Sequence, residues 1–209
     1  MSTKQIGPLT GILFVALVIV AFVVSGETPD VDDSAQTVVS FYVDNDSEQL
    51  IAAAVLALGC VALIFFLGSL RLVLRAAAGD QGGLSTVTLL GGLGIAVGSS
   101  IFAGIGFTLG DAADDLPASA TLALNALNSD LFFPVAVGAA TFNLGLGLAV
   151  LRHGGLPRLL GWLAIVVGIA GLTPAGFFAF LATGIVIVWA SIALTMQAAA
   201  PESSPTSTP

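Results

Sequence analysis

Charge is missing from five long stretches of this chain, residues 5–26, 49–70, 81–110, 131–151 and 159–200. A helix needs about 20 mostly apolar residues to cross the hydrocarbon of a bilayer, and each stretch is long enough. A soluble core is not an alternative. Charged residues make up 9% of the chain and apolar residues 56%, whereas a soluble domain carries about 25% charge to coat its surface. The class is therefore all-α, a polytopic transmembrane helix bundle. A formal charge of −8 argues against nucleic acid as a partner, because polyanion binding needs clustered Lys and Arg. The single cysteine, Cys60, excludes an intramolecular disulfide.

The last stretch is too long for one crossing, and Thr173-Pro174-Ala175-Gly176 interrupts it: proline removes an amide donor and glycine tolerates the turn. The sequence thus predicts one transmembrane domain over 1–200, followed by a disordered tail at 201–209. It has six spans at about 6–25, 50–70, 85–109, 131–151, 159–173 and 177–196, arranged as three helical hairpins. Charge sorting supports this topology, since Lys and Arg near span ends stay on the cytoplasmic side. Lys4, Arg71, Arg75, Arg152 and Arg158 fall on one face. Glu27, Asp30, Asp32, Asp33, Asp44, Asp46, Glu48, Asp111, Asp114, Asp115 and Asp130 fall on the other. Both termini are expected in the cytoplasm, and the membrane is expected to be the plasma membrane. A cleaved signal peptide ending near Ser25-Gly26 would leave the same loops on the same sides. The unbroken run extended by Leu9-Thr10-Gly11 favours an uncleaved first helix.

The spans contain no Asp, Glu, Lys, Arg or His in their interiors. Intramembrane ionisable groups mark proton relays, ion paths and ligand counter-ions. Without them there is no buried lysine for a retinal Schiff base, no pair of axial histidines for haem and no ligand set for a zinc hydrolase. No cofactor and no enzymatic activity are expected.

Four groups of residues carry what signal remains. In span 3, Gly92, Ala96, Ser99, Ala103, Gly106 and Gly110 form one small-residue stripe, which suits close helix packing, with a dimer interface or a groove for a lipid tail as alternatives. Gly94-x-x-x-Gly98 lies off this stripe. In span 4, Ala136, Ala140, Asn143 and Gly147 share a face, and Asn143, Ser99 and Cys60 lie at similar depths, as a midplane polar cluster would. An amide in hydrocarbon needs a partner, so interhelical glue is the first reading of Asn143 and a solute contact the second. In the outer loop 27–48, Val38, Val39, Phe41 and Tyr42 should pack on the membrane surface or over the helix ends, with Ser34 as a helix N-cap. Asp44, Asp46 and Glu48 are the candidate ligands for a hard cation, although the run lacks the glycine of an EF-hand loop.

Three stretches occur in order along the chain. They are Ser40-Phe41-Tyr42-Val43-Asp44-Asn45, Phe65-Phe66-Leu67-Gly68-Ser69-Leu70-Arg71 and Gly155-Leu156-Pro157-Arg158-Leu159-Leu160-Gly161-Trp162-Leu163. Together they resemble a group of uncharacterised six-helix integral membrane proteins from high-GC, actinobacterial-type bacteria, over roughly residues 35–196. Where that group has a basic residue soon after the Asp-Asn pair, this chain has Asp46-Ser47-Glu48. The resemblance implies the six-helix architecture and no particular activity.

The expected function is that of a non-enzymatic accessory or structural membrane subunit. Its partners would be membrane lipids, with a membrane protein or a second copy of the chain as further candidates. The alternative is a transporter or channel for a small neutral or hydrophobic solute, lined near Asn143 and Ser99.

Overall fold

The computed structural model describes residues 3–173 and 176–199, with side chains from Gly7 onward. The tail 201–209 and Pro174-Ala175 of the predicted break lie outside the described residues. Among those residues there is no strand. The helices are α1 (Thr3–Ser25), α2 (Ala35–Asp44), α3 (Asp46–Ala78), α4 (Gly83–Ala112), α5 (Ala118–Asp130), α6 (Phe132–His153), α7 (Arg158–Ala170) and α8 (Gly176–Ala199). Five segments are long and apolar enough to cross a membrane: α1, α3, α4, α6 with α5 running into it, and α8. With 13 residues, α7 is only about 20 Å long, short of the roughly 30 Å hydrocarbon core.

Neighbours in sequence are neighbours in space. α1 packs on α3, α3 on α4, α4 on α6, α6 on α7 and α7 on α8, and α8 returns to α1, so the helices form a closed ring. Leu63, Phe66, Leu67 and Leu70 of α3 fill its interior together with Phe142 and Leu146 of α6, Leu160 of α7 and Ile187 of α8. The large side chains on the outside, such as Leu58, Leu90, Val97, Ile101 and Val166, form the surface a bilayer would solvate.

The closest approach in the bundle is between α4 and α6. It is made by the glycines off the predicted stripe. A Cβ on Gly138 would lie 2.6 Å from the Ile95 amide nitrogen and 2.7 Å from the Gly94 carbonyl carbon, and one on Gly91 would run into the backbone of Phe142. Where lipid is as apolar as leucine, dispersion contacts between closely approaching backbones hold helices together. The stripe itself turns towards α3. Gly92 leaves room for Leu67, and Gly110 lies against Asp46 and Gln49; Ala96, Ser99 and Ala103 are buried, whereas Gly106 has open space beside it.

The polar loops form a folded cap at one end. Ser34 caps α2 by accepting a hydrogen bond from the Thr37 amide at 3.2 Å, as its position in the sequence predicts. Val38 and Tyr42 pack over the end of α4 at Leu109 and Ala113, with Leu122 and Leu124 of α5 beside them. The Tyr42 hydroxyl donates to Asn125 Oδ1 at 2.7 Å, and Asn125 Nδ2 donates to the Pro29 carbonyl at 3.2 Å. Burial pushes the Tyr42 phenol up to about 12.

Candidate functional site

α1 meets the ring differently along its two halves. Towards its N-terminal end, Gly11 leaves room for Ser191 of α8 and Phe66 of α3; any Cβ there would overlap them. Beyond this point α1 presents Phe14, Val15, Val18 and Ile19, and the larger side chains hold it away from α8. The gap is an apolar cleft of about 310 Å³, floored by Ile95 of α4 and walled by α8 from Phe180 to Val188. Its mouth faces outward at Ile19, Leu181 and Ile185, which are 58%, 53% and 63% exposed.

Thr183 is the one polar side chain in the cleft wall. Its hydroxyl donates to the Ala179 carbonyl at 2.8 Å and accepts from Asn143 Nδ2 at 2.8 Å. Asn143 Nδ2 also donates to the Ala139 carbonyl at 2.8 Å, and its Oδ1 is buried without a partner. The three residues of the predicted midplane cluster have different surroundings. Asn143 reaches α8 and pairs with Thr183. Cys60 packs in the apolar core. Ser99 lines a second apolar cavity of about 90 Å³, beside Phe132 and Phe180.

That second cavity neighbours the cleft, and Val18 and Phe180 border both. Phe22, Leu56 and Phe102 in turn border a third cavity of about 30 Å³ beneath the polar cap. Here the lining becomes polar at Ser25, Gln49 and Asn128. The Ser25 hydroxyl donates to Gln49 Oε1 at 3.1 Å, and Gln49 Nε2 donates to the Ser25 carbonyl at 2.9 Å. Asn128 is 7% exposed, and its Oδ1 has no hydrogen-bond partner. Phe14 and Ser25, which border the first and the last of these cavities, stand about 16 Å apart along α1, close to half of the roughly 30 Å hydrocarbon thickness.

The candidate cation ligands do not converge. Asp44 ends α2 and Asp46 begins α3, and both are exposed, as is Glu48. Asp46 Oδ1 is engaged by the backbone amide and the hydroxyl of Ser47. Among the described residues no three His, Cys, Asp or Glu side chains are grouped to hold a metal ion. Asp46 and Glu48 lie in the first turn of α3, where the positive end of the helix dipole accounts for acids without any ion.

Thr183, Gln49 and Asn128 carry no prediction in the sequence. The signal available was weak: a threonine one turn after Ala179, and amides at the polar ends of helices. No family model, curated protein or solved structure matches the chain.

Proposed function

We propose that the chain is a non-enzymatic, six-span protein of the plasma membrane, with both termini in the cytoplasm, that binds a membrane lipid as an accessory or structural subunit. In this reading α7 and the segment leading into α8 make the fifth crossing, and α1 is retained as the first. The charge sorting supports the orientation, and the resemblance to six-helix bacterial membrane proteins supports the architecture. The observation that carries the lipid reading is the cleft between α1 and α8. It is charge-free, opens on the outer face of the bundle and is followed along α1 by two smaller cavities, the last of them polar-lined at Ser25, Gln49 and Asn128. An acyl or isoprenoid chain laid along it would replace water or loosely packed lipid against Phe14, Val18 and Phe180. At the polar end Asn128 Oδ1 is an acceptor without a donor. A head bearing a hydroxyl or amide N–H fits it better than a carboxylate or phosphate, whose oxygens would face another acceptor.

The test is a photoactivatable acyl lipid cross-linked to the full-length protein in nanodiscs and mapped by mass spectrometry. Cross-links are expected at residues 14–22 and 181–188. Gly184→Phe, which fills the cleft beside Val15, should reduce them several-fold. Gly104→Phe, at a position with open space on an exposed face, should not. Labelling spread evenly over all outward faces, unchanged by Gly184→Phe, would remove the reading. A solute path along Asn143 draws on a different observation, the unpartnered Oδ1. It would show as Asn143-dependent solute uptake in proteoliposomes.

A further inference from the structure

At the opposite end of the molecule from the polar cap, α3 runs on past its apolar stretch and carries Arg71 and Arg75 one turn apart, up to Gly79. The chain then reverses through a single 3₁₀ turn, Gly79–Gln81, into α4. The two arginines and the start of α4 border an open surface cavity of about 310 Å³ whose lining is mainly polar, with Asp80, Gly83, Ser85 and Thr86 completing it. Nε of Arg71 is buried and has no hydrogen-bond partner. Neither arginine takes part in an ion pair among the described residues, although the exposed Asp80 borders the same space.

The start of α4 adds donors. Its N-cap is Gly82, so no side chain satisfies the first amides of this 30-residue helix. The Ser85 hydroxyl turns back to the Gly82 carbonyl at 2.6 Å. A long helix places the equivalent of about half a positive charge at this end, and its free N–H groups point outward along the axis. Two guanidiniums against one carboxylate leave the cavity net positive, while the negative C-terminal end of α3 beside Gly79 offsets the partial charge of α4. It stands where the apolar run of α3 ends at Leu70, which is headgroup depth.

We propose that this cavity is a binding site for a phosphate oxyanion, held by Arg71 and Arg75 together with the amides at the N-terminus of α4. Guanidinium forks match phosphate oxygens two at a time, and the several acceptor oxygens of a phosphate use the remaining donors. The oxyanion belongs either to an anionic phospholipid headgroup or to a soluble phosphate compound. The site is separate from the cleft between α1 and α8, with which it shares no lining residue.

The experiment uses the full-length protein in two arms. In the first, nanodiscs containing phosphatidic acid in phosphatidylcholine are examined by native mass spectrometry for retained lipid. In the second, inorganic phosphate is titrated against thermal unfolding in nanodiscs of phosphatidylcholine alone. Arg71→Gln and Arg75→Gln are compared with Arg152→Gln, which removes an arginine outside the cavity. Arg75 is exposed, so its variant keeps the test valid if Arg71→Gln folds poorly. Retention of phosphatidic acid that falls about tenfold or more in the two cavity variants, and not in Arg152→Gln, assigns a lipid headgroup. Stabilisation by phosphate that depends on the same two residues assigns a soluble compound. Equal retention in all three variants, with no effect of phosphate on the wild-type protein, overturns the proposal. Gly184→Phe should leave both readouts unchanged.

Discussion

Tyr42 is the only tyrosine in the chain, so its titration can be read directly from tyrosinate absorbance. Its phenol is buried and hydrogen-bonded to Asn125, and burial raises its pKa from 10.0 to about 12. The neutral phenol is the form the fold favours. The associated stability is fully present below pH 10 and is lost as the pH rises through about 12. Tyrosinate should therefore appear near pH 12 in the folded protein and near pH 10 after denaturation. Tyr42→Phe should abolish the signal and destabilise the cap by about 1–3 kcal/mol, since it leaves Asn125 Oδ1 buried without its donor. A folded-state titration near the ordinary value would mean that the cap does not enclose Tyr42. Asn143 gives a second prediction. Interhelical hydrogen bonds in membranes average about 0.6 kcal/mol, so the coupling between Asn143→Leu and Thr183→Val in a double-mutant cycle should be of that size. Thr183 retains its bond to Ala179 when Asn143 is replaced, which limits the cost of the single change.

Among the elements, what the sequence made legible depended on which face of each helix is apolar. The long charge-free runs mark α1, α3, α4, α6 and α8, because hydrocarbon on all sides demands apolar residues on all sides, although α3 runs eight residues past its predicted end at 70, through Arg71 and Arg75. Helix α5 falls between two predicted spans and carries no such run, for the opposite reason. Its buried residues are Thr121, Asn125 and Asn128, while Leu127 is 49% exposed, so its pattern is inverted relative to a helix buried by the hydrophobic effect alone. The candidate site was less legible than the fold. The cleft arises from a contrast along α1, glycine at 11 against Phe14, Val15, Val18 and Ile19, and that contrast acquires meaning only once α8 is known to lie opposite. The small-residue stripe of span 3 was visible, but the glycines that set the closest contact stood beside it. Gly138→Ala should therefore cost several kcal/mol, since backbone atoms of α4 would have to move. Gly104→Ala, with nothing within 4 Å, should be neutral or stabilising by up to about 1 kcal/mol through helix propensity. Thermal unfolding in mild detergent checks the pair, and equal effects would show that α4 and α6 are not in backbone contact.

For the molecule as a whole, the proposed orientation gives the charges the task of setting how the bundle sits in a bilayer. Helix α3 has 33 residues, about 50 Å, and so could slide through a hydrocarbon core of about 30 Å. Its charges prevent this. Glu48 and Arg71 are separated by 23 positions, about 34 Å, which brackets the core with little slack. Drawing Arg71 to the bilayer centre would cost about 3 kcal/mol. Since α3 contacts both α1 and α4, the ring shares this register, placing the α2–α5 cap on one side and the arginine cavity on the other. Single cysteines test the arrangement with little interference, because native Cys60 is buried. Ser40→Cys on α2 and Ala76→Cys at the far end of α3 are both exposed positions and leave Arg71 and Arg75 intact. On the proposed orientation, a membrane-impermeant maleimide should label Ser40→Cys in intact cells and Ala76→Cys only after permeabilisation. Labelling of both from outside would place the arginines and the acidic cap on one side of the membrane, which a helix pinned by its charges at opposite ends does not allow.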